Sequence, residues 1–100
     1  GGTVNEVMIV IVYDRAIDEE LIDVLEELDI RYYTKWRDVL GVGRHDPHLG
    51  DDVWPGLNNV IMTVIDGEKS DRLLERVKAL QASFASVGLR AFVVPVLGLV

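Results

Sequence analysis

The sequence predicts an α+β fold in which four strands form an antiparallel sheet and two helices cover one of its faces. Three observations predict it. Four runs are dense in apolar, β-branched and aromatic residues and are bounded by turn-forming residues. Two intervening segments carry leucine, isoleucine and valine at helical spacing. The resulting order is β-α-β-β-α-β, with helices of similar length placed symmetrically around a long irregular stretch at 41–56.

The first strand is expected over 6–13 (EVMIVIVY), an almost continuous apolar run of the kind found inside a sheet. A helix follows over 17–28. Ile17, Leu21, Val24, Leu25 and Leu28 form its apolar stripe, and Glu19, Glu20, Asp23, Glu26 and Glu27 point elsewhere. Asp18 is the expected N-cap, with Ile17 and Ile22 as the ends of a hydrophobic staple, and Asp29 closes the helix. The second strand is read over 31–40. Strict alternation puts Tyr32, Thr34, Trp36, Asp38 and Leu40 on one face and Tyr33, Lys35, Arg37 and Val39 on the other. Neither face is cleanly apolar, so this strand should protrude from the core or meet another subunit.

The third strand is expected over 57–65, and Asp66 and Gly67 turn the chain. Ser70 is the expected cap of the second helix, whose apolar positions are Leu73, Val77, Leu80 and Phe84. Gly88 stops it. The fourth strand is expected over 89–96, with Pro95 confining its far end to an edge. The apolar tail 96–100 should dock, on a neighbouring chain if not on its own. Together these elements make a ferredoxin-like, split β-α-β arrangement with both helices on one face. The open face of so apolar a sheet needs a cover, and association with identical copies supplies one.

Composition narrows the function. A chain of 100 residues is expected to form one domain over 1–100, and its apolar fraction of 49 % is high for that size. The formal charge of −7 argues against a nucleic-acid partner, which needs a basic face. The absence of cysteine removes disulfides, thiol nucleophiles and thiolate metal sites, and suits a reducing, cytoplasmic setting. No apolar run reaches the roughly 18 residues of a membrane-spanning helix, and residues 7–12 are too short and lack a basic leader for a signal peptide.

The stretch 41–56 holds both histidines, four glycines, two of the three prolines and Trp54. A loop of that length in a small domain is expected to carry function. Gly41 and Gly43 can turn successive backbone N–H groups toward an anion, and Arg44 adds a planar fork suited to phosphate or carboxylate. His45 and His48, with Asp46, Asp51 and Asp52 beside them, are candidate ligands for a divalent transition metal; the same imidazoles could instead switch the loop by titration near neutral pH. Trp36 and Trp54 flank the loop, either as stacking surfaces for a flat ligand or as anchors of the loop base. Asn58 and Asn59 are expected to satisfy backbone groups there. No catalytic constellation stands out, so the expectation is a binding protein without enzymatic activity.

The entrance of this loop, Val39-Leu40-Gly41-Val42-Gly43-Arg44, resembles the V-x-G-x-G-R that opens the long T-loop of the PII nitrogen-regulatory proteins, at the same place in the same element order. Trp54-Pro55-Gly56 resembles the end of that loop. The resemblance implies a homotrimer that binds an adenine nucleotide or similar small anionic effector in clefts between subunits. It also implies regulation of a partner protein or membrane transporter through the loop. Gly41, Gly43 and Arg44 would lie at the ligand phosphates, and His45 takes the place of a glutamine that helps hold a metal ion and effector. Two departures stand out. The glycine- and lysine-rich loop expected before the last strand is here Ala85-Ser86-Val87-Gly88-Leu89-Arg90, which leaves Arg90 as its only cation, and no tyrosine lies between 41 and 56 for uridylylation. The related CutA-type trimers, associated with divalent metals, give the alternative expectation of a metal-binding protein using His45 and His48 without nucleotide.

Overall fold

In the computed structural model, which describes residues 5–41 and 56–100, the chain runs β1 (Glu6–Asp14), a 3-10 turn (Arg15–Ile17), α1 (Asp18–Glu27), β2 (Thr34–Leu40), β3 (Leu57–Asp66), α2 (Gly67–Ser83) and β4 (Leu89–Pro95). The sheet order is β2-β3-β1-β4, every neighbouring pair antiparallel. This is the ferredoxin-like β-α-β-β-α-β arrangement that the sequence predicts.

Alternation along the strands separates two faces. Ile9, Ile11 and Tyr13 of β1 and Ile61 and Ile65 of β3 point to the helices, where they are buried with Leu21, Val24 and Leu25 of α1 and Leu73 and Val77 of α2. The other face carries Met8, Val10 and Val12 of β1, Val60, Met62 and Val64 of β3, and Phe92 and Val94 of β4. All of these keep some solvent exposure, and Phe92 is 53 % exposed. The strands β2 and β4 form the two edges, with Pro95 as the last residue of β4.

Both helix starts differ from the sequence expectation. The chain enters α1 through the 3-10 turn, which Asp14 caps by accepting a hydrogen bond from the Ala16 N–H at 2.8 Å. Ile17 occupies the N-cap position of α1, and Asp18 is the first helical residue, its carboxylate engaged elsewhere. The staple expected between Ile17 and Ile22 therefore has the wrong register. In α2 the cap is Asp66, which accepts from the Lys69 N–H at 2.8 Å, so the helix starts at Gly67 and Ser70 is buried inside it. An aspartate that already ends a strand in extended geometry wins over a serine further on. The second strand is also shorter than read, beginning at Thr34, and Arg31, Tyr32 and Tyr33 form an exposed lead-in.

The C-terminus of α1 behaves as expected. Asp29 adopts φ 56° and donates its N–H to the Glu26 carbonyl at 3.1 Å, while Ile30 reaches the Leu25 carbonyl at 2.9 Å and buries its side chain. These paired bonds form a Schellman closure, in which the left-handed residue is usually glycine. Replacing Asp29 with glycine should therefore raise stability by about 0.5–1 kcal/mol, read as a higher midpoint in thermal unfolding.

Candidate functional site

Four segments meet at the end of the sheet from which residues 42–55 depart: the end of β1, the start of α1, the end of β2 and the start of β3. The side chain at their centre is Asp18. It accepts hydrogen bonds from the Tyr13 hydroxyl at 2.6 Å and from Nδ2 of Asn59 at 3.0 Å, and it pairs with Nζ of Lys35 through both oxygens, at 2.6 and 2.8 Å. Lys35 is mostly buried, and Asn59 is 4 % exposed. Burial alone would raise the Asp18 carboxyl, but the hydrogen bonds from Lys35, Tyr13 and Asn59 outweigh it and hold the group below the usual carboxylate range. Burial, followed by the hydrogen bond to this carboxylate, pushes the Tyr13 hydroxyl well above its ordinary value. Tyr13 thus stays a neutral donor.

The cluster extends into β2 through Asn59, whose Oδ1 accepts from the Asp38 N–H at 3.1 Å. Asp38 stands in the left-handed region at φ 54°, and its carboxylate meets Arg15 at 3.2 Å. Pairing jumps from Trp36–Val60 to Val39–Asn58, so β2 carries one extra residue here, a β-bulge. The bulge overturns the strict alternation read from the sequence. Val39 joins the face of Trp36, and Leu40 turns with Leu57 toward the helix side.

Beyond the bulge, Leu40 pairs with Leu57 and the chain leaves the sheet at Gly41. A Cβ on residue 41 would stand 2.3 Å from Nδ2 of Asn58, so any larger residue there must push the Asn58 side chain aside. On the helix side, a shallow open groove of about 410 Å³ lies between α1 and β2, lined by residues that include Asp18, Ile22, Tyr33, Lys35 and Arg37.

Of the residues predicted to bind a ligand, Gly41, Trp36 and Arg90 fall among the described residues. Trp36 is 46 % exposed on the open face of β2. Arg90 pairs with Val12 on the far edge of the same face. Two strands separate them, so within one chain they lie roughly 14 Å apart by the usual strand spacing. They do not converge on one ligand in a single copy. Gly43, Arg44, His45, Asp46, His48, Asp51 and Trp54 lie outside the described residues. Among the described residues no group of three or more histidine, cysteine, aspartate or glutamate side chains is arranged to hold a metal ion, and no helix is long and apolar enough to cross a membrane.

The profile of the family described as nitrogen regulatory protein P-II matches residues 6–99. The chain belongs to the P-II family. No curated protein matches it significantly. Among solved structures, it is similar to CPII, a nitrogen regulatory PII-like protein from Thiomonas intermedia K12 bound to ADP, AMP and bicarbonate. The two share 22 % identity over 88 % of this chain and 86 % of that one, with a TM-score of 0.68. A DUF3240-family protein from Shewanella baltica OS155 is similar at 14 % identity over 97 % of this chain and 96 % of that one, again with a TM-score of 0.68. A protein of unknown function from Pediococcus pentosaceus ATCC 25745 matches at 15 % identity over 97 % of both chains, TM-score 0.68. At these identities the likeness extends to the P-II fold alone.

Asn59 satisfies a backbone group, the Asp38 N–H, as the sequence predicts, whereas no local signal identifies the Asp18 cluster behind it. Its traces are a lysine in the middle of β2 and an asparagine on the helix-facing side of β3. Neither names its partner, because Asp18 is 17 residues from Lys35 and 41 from Asn59.

The depressed Asp18 carboxyl fixes the sign of a pH effect. Its stabilisation is present above the unfolded value of about 3.9 and is lost as pH falls through the lower folded value. Asp18→Asn should cost about 1–3 kcal/mol at neutral pH. The gap from wild type should narrow steadily as urea melts are repeated below the ordinary carboxylate range.

Proposed function

We propose that this P-II family member is a non-enzymatic, cytoplasmic sensor that assembles as a homotrimer. It binds a small anionic effector of the adenine-nucleotide class between subunits and acts on a partner protein through the loop 41–56. The observation that carries the reading is the geometry of the open sheet face. Gly41 on the β2 edge and Arg90 on the β4 edge lie at the same end of the sheet, and an apolar face that the described residues leave partly exposed separates them. Covering that face with copies brings the β2 edge of one chain toward the β4 edge of another. A glycine-rich loop entrance and a cation, too far apart within one chain, then border a shared cleft.

Family membership supports the regulatory class, and the ADP, AMP and bicarbonate bound to CPII support the ligand class. In this reading Gly41, Gly43 and Arg44 take the phosphates, Arg90 supplies the cation from the adjoining subunit, and Trp36 and Trp54 flank the base. With one cation in place of the glycine- and lysine-rich segment, fewer phosphates are held there. A mono- or diphosphate therefore suits the site better than a triphosphate.

Titration calorimetry of the purified protein with AMP, ADP, ATP and bicarbonate tests this. Binding of AMP or ADP is expected, weakened tenfold or more by Arg44→Ala and by Arg90→Ala. The absence of heat with every nucleotide, alone or with bicarbonate, would reject the reading.

A further inference from the structure

The bulge in β2 is a local exception that its own sequence does not demand. Unbroken alternation would pair Arg37 with Asn59, Asp38 with Asn58 and Val39 with Leu57. The observed ladder instead pairs Val39 with Asn58 and Leu40 with Leu57. The two registers differ by one residue, and a one-residue slip reverses the face of every side chain beyond it.

The observed register requires a non-glycine residue at positive φ, Asp38 at 54°, a conformation held only where the surroundings favour it. Two contacts do so. Asn59 accepts the Asp38 N–H at 3.1 Å, and Arg15 meets the Asp38 carboxylate at 3.2 Å in an exposed pair that contributes little. The buried amide of Asn59 is the stronger hold, and its orientation is fixed because Nδ2 donates to Asp18 at 3.0 Å. Asp18 is in turn fixed by Tyr13 and Lys35. A chain of hydrogen bonds therefore runs from the start of α1 through one asparagine to the bulge.

We propose that β2 has two accessible registers against β3 and that Asn59, oriented by Asp18, latches the bulged one. Release of the latch slips the end of β2 by one residue and turns Val39 to the helix side and Leu40 to the open face, just where the chain leaves the sheet. The device stands on the described strands alone and does not depend on which effector the protein binds.

The chain contains no cysteine, so pairs introduced by mutation report register without background. The pair Leu40→Cys with Leu57→Cys is opposed in the bulged register, and Val39→Cys with Leu57→Cys in the slipped one. Under mild oxidation, in a background otherwise native, the first pair should close at least tenfold faster than the second. Adding Asn59→Val should raise closure of the second pair tenfold or more, and adding Asp38→Gly to that background should restore the first by relieving the positive φ. Asp18→Asn, which leaves both strands untouched, should move the ratio in the same direction by a smaller factor and carries the test if Asn59→Val fails to fold by circular dichroism. An unchanged closure ratio in the folded variants would overturn the proposal.

Discussion

One constraint governs this molecule: its sheet is apolar on both faces, and its own helices cover only one. Ile9, Ile11 and Ile61 are fully buried beneath α1 and α2, whereas Met8, Val10, Val12, Val60, Met62 and Val64 keep part of their surface in water. Trp36 and Phe92 extend that surface to both edges. Apolar area removed from water is worth roughly 25 cal/mol per Å², and a continuous patch of this kind is uncommon on a protein that works alone. This imbalance favours association of the sheet face with another surface, which is the premise of the proposed assembly.

Among the described residues, the side-chain polar cluster around Asp18 sits at one end of the sheet. There the Asp18 carboxylate collects donors from β1, β2 and β3 and ties all three strands to the start of α1. Because the pair with Lys35 is largely shielded and every partner is hydrogen-bonded, it restricts the local geometry more than the surface pairs Arg31–Asp29, Arg72–Glu68 and Arg76–Glu27 do. The strand ends that flank residues 42–55 are thus held in their observed geometry by a part-buried polar cluster.

Much of the fold was legible in the sequence because its signals are local. The β-branched runs of β1 and β3, the leucine spacing of both helices and the closure of α1 at Asp29 each depend on residues close together in the chain. What escaped depends on distant partners or on competition between neighbours. The bulge at Asp38 exists because Asn59, 21 residues away, accepts its N–H. Asp18 resembles a cap until Lys35 and Asn59 are seen to claim its oxygens. Asp66 and Ser70 both suit a helix start, and only the extended backbone of Asp66 decides between them. Of the proposed ligand residues, Gly41 could be suggested from the loop glycines and Arg90 from the family resemblance. That they stand on opposite edges of one sheet could not, since strand order is a property of the folded chain.

The measurement that bears most directly on the uncovered face is the mass of the particle in dilute solution. Sedimentation equilibrium at low micromolar concentration should give about three times the mass of one chain, and Met62→Asp, which sets a charge in the middle of the open face, should reduce it to one. A native protein that sediments as a folded single chain would contradict the central claim, because the apolar face would then be stable in water without a partner.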